Sequence, residues 1–190
     1  MIDELVKKAE SECAEIFKKI DETENYFSNL ILDDFHAENI NESHFNMTTG
    51  YGYNDLGRDA IERVFAKVLK GEAALVRNQF ISGSHALSTA LFALLRPGDT
   101  LLSITGLPYD TLHEVIGIKN NPSSLKSFGI HYEQIDLVNN AFNIDSIIKK
   151  LQEKKIKVIE IQRSRGYSTR KSILIKDIEE VIKKIREIDK

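Results

Sequence analysis

Three short runs carry side chains suited to holding an anion beside an aromatic ring. The first is Ser82-Gly83-Ser84-His85-Ala86, which opens an apolar segment. The first N–H groups of a helix have no acceptor of their own, so a glycine-bearing turn with hydroxyls at a helix start forms a phosphate cradle. A plain helix cap at Ser82 or Ser84 fits the same residues. Neither G-x-G-x-x-G nor G-x-x-x-x-G-K-[ST] occurs, which sets aside the dinucleotide and nucleoside-triphosphate loops. The second run is Thr105-Gly106-Leu107-Pro108-Tyr109-Asp110-Thr111-Leu112. It follows a strand candidate, and ligands of open α/β sheets bind beyond the carboxyl ends of strands. Tyr109 offers a flat face to a ring, or packs at a turn. The third run, Ile161-Gln162-Arg163-Ser164-Arg165-Gly166-Tyr167-Ser168-Thr169-Arg170, places three arginines within eight residues. Such charges require water, carboxylates or phosphate. The carboxylate of an anionic substrate suits them, and so does open solvent. His85 stands in the first run, able to stack or donate, while His36, His44, His113 and His131 lack metal-ligand spacing, so no metal site is expected.

These runs must be positioned by the elements between them. Leu5, Val6, Ala9, Cys13, Ile16, Phe17 and Ile20 recur at steps of three and four, predicting an amphipathic helix over 2–20 with Cys13 in a core. A second helix is expected over 26–35. Residues 46–57 hold three glycines among Tyr51 and Tyr53 and read as a loop. Helices are predicted over 58–70, 84–95, 144–153 and 176–188, with strands over 73–80, 100–104, 131–135 and 157–161. That alternation indicates an α/β architecture with a mainly parallel sheet.

The chain has 190 residues, 42% of them hydrophobic and 29% charged, enough for a sizeable core. With 26 basic and 29 acidic side chains the net charge is -3, which disfavours nucleic acid. Lys149-Lys150, Lys154-Lys155 and Lys183-Lys184 fall at helical spacing as solvated faces. A single cysteine excludes an internal disulfide and suits a reducing cytoplasm. No segment is apolar and long enough for a signal peptide or a membrane span.

The run from Thr48 to Asp59 (Thr-Thr-Gly-Tyr-Gly-Tyr-Asn-Asp-Leu-Gly-Arg-Asp), then Leu75 to Ala86, Leu95 to Asp99, Gly106 to Leu112 and Gln162 to Ser168, resembles the aluminium resistance protein group, in the same order along nearly the whole chain. That group is related to methionine gamma-lyase, among pyridoxal-phosphate (PLP) enzymes of cysteine and methionine metabolism. Ser84 stands where the group has threonine, and the hydroxyl is kept. The resemblance implies an α/β fold-type-I PLP-transferase-like large domain, three-layered and truncated. Residues 1–45 would form an N-terminal helical segment and 46–190 an incomplete PLP-binding domain. It implies that Ser82, Gly83 and Ser84 hold the cofactor phosphate and that Tyr109 stacks on the pyridine ring. Tyr53 would reach the phosphate site of a neighbouring subunit in a homo-oligomer, with Arg58 a weaker candidate because the tyrosine-x-arginine spacing is not kept. Arg163 lies where relatives contact the ring oxygen, with a different residue type, and Arg165 would meet the substrate carboxylate. The implied activity is carbon–sulfur cleavage in a small amino acid, with PLP as electron sink. The lysine and acidic partner that PLP needs are expected beyond Lys190, so no catalytic residue is expected here and the chain alone is expected to be inactive. Lys171, the one lysine beside a motif loop, reads as a decoy. The competing reading is a non-catalytic module that binds phosphate or PLP, or that serves assembly.

Overall fold

The computed structural model describes residues 2–51, 53 and 55–189, so Gly52 and Asn54 of the tyrosine-rich run lie outside the described residues, as do Met1 and Lys190. The chain divides into two compact units, Met1–Phe80 and Ile81–Lys190.

In the first unit, helix α1 spans Ile2–Ala37 without interruption, where the sequence predicts two helices. The intervening Asp21-Glu22-Thr23-Glu24-Asn25 is polar but free of glycine and proline, and Thr23 Oγ1 donates back to the Lys19 carbonyl at 2.8 Å. Polarity there marks a solvent face rather than a break. No residue of α1 is buried. Cys13, expected in a core, is half-buried, and Leu5, Val6, Ile16, Phe17, Ile20 and Phe27 are exposed. Helix α2, Leu56–Val68, starts at Asp55, whose side chain accepts from Arg58 N at 3.0 Å and from the Thr48 hydroxyl at 2.9 Å. Glu38, just past α1, accepts from Arg63 Nε at 2.6 Å and Lys67 Nζ at 2.5 Å on α2. Residues 73–80 are not the expected strand. The Val76 N–H is taken by the Glu62 carboxylate at 2.9 Å, Glu62 also pairs with Arg77, and Phe80 N closes a turn onto Arg77 O at 3.1 Å. Side chains thus satisfy donors that a neighbouring strand would otherwise take.

The second unit alternates helix and strand: α3 Gly83–Leu94, β1 Thr100–Ser103, α4 Thr111–Ile116, β2 His131–Gln134, α5 Ile144–Glu153, β3 Val158–Glu160 and α6 Ile175–Arg186. The sheet order is β2-β1-β3, all parallel, with Ser103 opposite Gln134 on one side and Glu160 on the other. β1 is buried throughout. Leu101 packs with Leu91, Leu95, Leu112 and Ile116 of the α3–α4 side. Leu102 and Ile104 pack on the opposite face with Ile147, Val181 and Ile185 of α5 and α6. Each such side chain contributes about 1.5–3 kcal/mol when fully buried. The change of face follows from connection handedness: β1 reaches β2 through α4, and the return past β1 to β3 uses α5 on the other side. Glu133 of β2 ties the sheet to the end of α5 through Lys150 at 2.8 Å and through Lys154.

This architecture corrects the expected fold class. About half of the described residues are helical, and the sheet has only three strands of four, four and three residues, which does not support a truncated fold-type-I large domain. The missing 73–80 strand and the single long α1 account for much of the difference. No helix among the described residues is long and apolar enough to cross a membrane.

Candidate ligand crevice

In the second unit the chain leaves β1 toward β2 on one side and enters β3 on the other, so the carboxyl ends of β1 and β3 flank a topological switch point. The Tyr109 run and the arginine run leave the sheet there and are joined across it. Gln162 accepts the Tyr109 N–H on its side-chain oxygen at 2.6 Å, and its own backbone N–H donates to Thr105 Oγ1 at 3.0 Å. Gly166, at φ +55°, has its Cα so close to Tyr109 that a Cβ there would lie 3.2 Å from the ring. Tyr167 brings its ring to 6.3 Å from that of Tyr109, tilted by 34°. Hydrogen bonding with Tyr167, then its charge, holds the Tyr109 hydroxyl above the usual phenol range. His113 fixes the other shoulder of the loop, its Nε2 lying 2.8 Å from the Pro108 carbonyl oxygen.

Leu91 of α3 and Leu95 just past its end belong to the same buried cluster as Leu101 of β1. Ser82 is the helix cap, its Oγ accepting from His85 N at 3.1 Å. The N–H groups of Gly83 and Ser84 and the half-buried Ser84 hydroxyl have no acceptor or donor partner among the described residues. A Cβ at Gly83 would meet nothing within 4 Å, leaving the backbone open to close approach. These groups fit a phosphate ester.

The arginines brace their own loop. Arg163 Nε donates to the Ile173 carbonyl at 3.2 Å, and Arg170 reaches the Ser164 carbonyl at 2.7 Å. Arg165 Nη1 lies 3.4 Å from the Arg170 carbonyl and the residue is exposed. Their partners are backbone carbonyls rather than anions or open solvent alone. Tyr53 belongs to the first unit and is 82% exposed. Arg58 of that unit lines a polar cleft of about 520 Å³ with Arg77, Asn78 and His44. Lys171 N donates to Asn140 Oδ1 at 3.0 Å.

Sequence reasoning gave no role to three residues that build the crevice: Gln162, Ser103 and Glu160. Glu160 carried a signal, a carboxylate within the aliphatic strand Val158-Ile159-Glu160-Ile161. Burial pushes its carboxyl above the usual carboxylate range, with the Ser103 contact acting in the opposite direction.

Known proteins share this fold. A crystal structure from Clostridium acetobutylicum, a candidate cystathionine beta-lyase involved in aluminum resistance, superimposes with a TM-score of 0.93 at 44% identity, over 98% of this chain and 45% of that one. The carbon-sulfur lyase involved in aluminum resistance from Clostridium novyi NT gives a TM-score of 0.90 at 43% identity, over 98% of this chain and 45% of that one. The uncharacterized protein YnbB of Bacillus subtilis (strain 168) is 45% identical over 193 residues, 98% of this chain and 46% of YnbB. The chain thus spans less than half the length of these relatives. The family model described as methionine gamma-lyase matches residues 2–190. Fold and sequence together place the chain in the methionine gamma-lyase family.

Proposed function

We propose that this chain supplies the phosphate-binding and ring-facing part of a PLP-dependent carbon–sulfur lyase acting on a small amino acid. The observation that carries the reading is the pair of loops joined through Gln162 at the β1/β3 switch point, one of them bearing Tyr109; the unpartnered first-turn amides of α3 supply the phosphate donors. The two Clostridium relatives carry lyase names, one of them carbon-sulfur lyase, which supports it. When bound, PLP supplies an electron sink for cleavage beside the amino-acid α-carbon.

The chain's own residues bind and orient. Gly83 N–H, Ser84 N–H and the Ser84 hydroxyl take the phosphate oxygens, while Ser82 serves them by holding the first turn. Tyr109 presents one ring face to the pyridine, its position set by Gln162 and Gly166. Arg163 keeps guanidinium nitrogens beyond the one bound to Ile173 for the cofactor's ring oxygen, and exposed Arg165 is suited to a substrate carboxylate. Tyr53 serves a neighbouring subunit's phosphate in a homo-oligomer. The runs 82–86, 105–109 and 162–170 contain no lysine, and the reading gives residues 1–190 the binding of the cofactor and not the turnover of substrate.

Pyridoxal phosphate added to the chain is expected to bind, detected by its absorbance, and to be displaced by inorganic phosphate. Tyr109→Ala is expected to weaken binding. Binding unaffected by both Tyr109→Ala and Ser84→Ala sinks the site assignment. Borohydride reduction with peptide mapping is expected to leave no stoichiometric adduct on Lys171. An adduct there, with lyase turnover lost in Lys171→Ala, overturns the claim of inactivity.

A further inference from the structure

The polar cleft of the first unit, about 520 Å³ in volume, is built from residues 44–50, 55–61 and 76–79. That volume suits a small molecule. Its walls are pinned to one another by named contacts. Gly57 lies against the His44 backbone so closely that a Cβ would collide with the His44 carbonyl, so a glycine is needed where α2 starts on that wall. The Thr48 hydroxyl donates to Asp55 at 2.9 Å, and Glu62 of α2 accepts the Val76 N–H at 2.9 Å.

The same contacts use up the carboxylates. Asp55 accepts the Arg58 backbone N–H at 3.0 Å as well as the Thr48 hydroxyl; these two bonds, and after them the charges of Arg58 and Arg77, hold its carboxyl below the usual range. Glu62 is shared between the Val76 N–H and Arg77. The Arg58 guanidinium is left over. It is half-buried, lines the cleft, and makes no hydrogen bond or ion pair among the described residues. A guanidinium drawn partly out of water needs an acceptor, and its planar fork matches two oxygens of one anion. The other free groups of the cleft can donate too. His44 Nδ1 accepts the Asn41 N–H at 3.2 Å, which leaves the ring proton on Nε2. The side-chain amides of Asn78 and Gln79 have no partner among the described residues.

We propose that this cleft is an oxyanion site of the first unit: Arg58 takes the carboxylate or phosphate of a small molecule on its guanidinium fork, with His44, Asn78 and Gln79 as further donors. The site is built wholly from residues 44–79 of one copy, and Tyr53 does not line it. It therefore stands without the cofactor reading above, without Ser84 and without a neighbouring subunit.

The test is 15N NMR on the full 190-residue chain, titrated separately with inorganic phosphate and with succinate, with the Arg58 Nε–H signal identified by its loss in Arg58→Gln. The expected result is a saturable shift of Arg58 Nε–H and of the Asn78 and Gln79 side-chain amides with at least one of the two anions. The anion that saturates at the lower concentration names the chemical class. Ser84→Ala and Tyr53→Phe are expected to keep the shift. In Arg58→Gln the Asn78 amide is expected to report binding about 10-fold weaker or more, the loss of hydrogen bonds from a charged group. Wild-type Arg58 Nε–H that stays still, or moves without saturating, with both anions overturns the proposal before any variant is made. A shift that disappears in Ser84→Ala overturns it as well, since the anion would then sit at α3, and so does Arg58→Gln binding as tightly as wild type.

Discussion

Tyr109 rests against a residue that no side chain can replace without moving it. Gly166 occupies the left-handed region, where a Cβ costs about 1–2 kcal/mol, and the added carbon would also press on the Tyr109 ring. Gly166→Ala is therefore expected to lower stability by about 1–2 kcal/mol in urea unfolding and to weaken pyridoxal phosphate binding. The two serines at α3 separate in the same way by their bonds. The Ser82 hydroxyl is committed to His85 N, so Ser82→Gly is expected to cost a few tenths of a kcal/mol in stability and to change phosphate affinity little. Ser84→Ala removes a donor to a charged ligand and is expected to weaken phosphate binding about 10-fold or more at unchanged stability, read by calorimetric titration.

At the scale of elements, charge pairs fasten helices to their neighbours. The side chains of Lys150 and Lys154 hold the Glu133 carboxyl below its ordinary 4.5. A lowered folded-state value means that this pairing stabilises the fold fully above 4.5 and is lost as pH falls through the lower, folded value. Solvent screens the group, so Glu133→Gln is expected to cost about 0.5–1 kcal/mol at neutral pH and nothing at strongly acid pH, measured by urea midpoints at both. Glu160 has the opposite sign: its raised value gives stability at low pH that is lost as pH rises through the folded value. Helix α5 matches its expected bounds over 144–153 because Asn143 caps Ser146 N at 3.2 Å and the apolar spacing is strict. The strand read over 73–80 had the right residue types, but strand formation depends on a partner, and Glu62, fourteen residues before Val76, takes its N–H instead. The crevice was legible as three runs; that Gln162 ties two of them was not, because the contact spans 53 residues and no local pattern marks it. The arginines misled by type, since backbone carbonyls satisfy them as well as anions do.

For the molecule as a whole, an exposed apolar stripe runs along α1, with Ile16, Phe17, Ile20 and Phe27 at least half exposed. A contiguous stripe of this kind favours association. The chain is expected to self-associate with rising concentration in sedimentation, and the double variant Ile16→Glu, Phe17→Glu to remain monomeric. A wild-type monomer at high concentration counts against it. The second unit has a different exposure, set by time. Its central strand β1 is made first, yet its two neighbours arrive later, at His131–Gln134 and Val158–Glu160. At about 5–20 residues per second, the side of β1 that awaits β3 stays open for about 3 to 11 s of synthesis. During that interval Leu101, Leu102 and Ile104 are a sticky nascent segment with an unpaired edge, so the ribosome-bound chain is where this protein most needs a chaperone, and slowing translation between β2 and β3 lengthens the hazard.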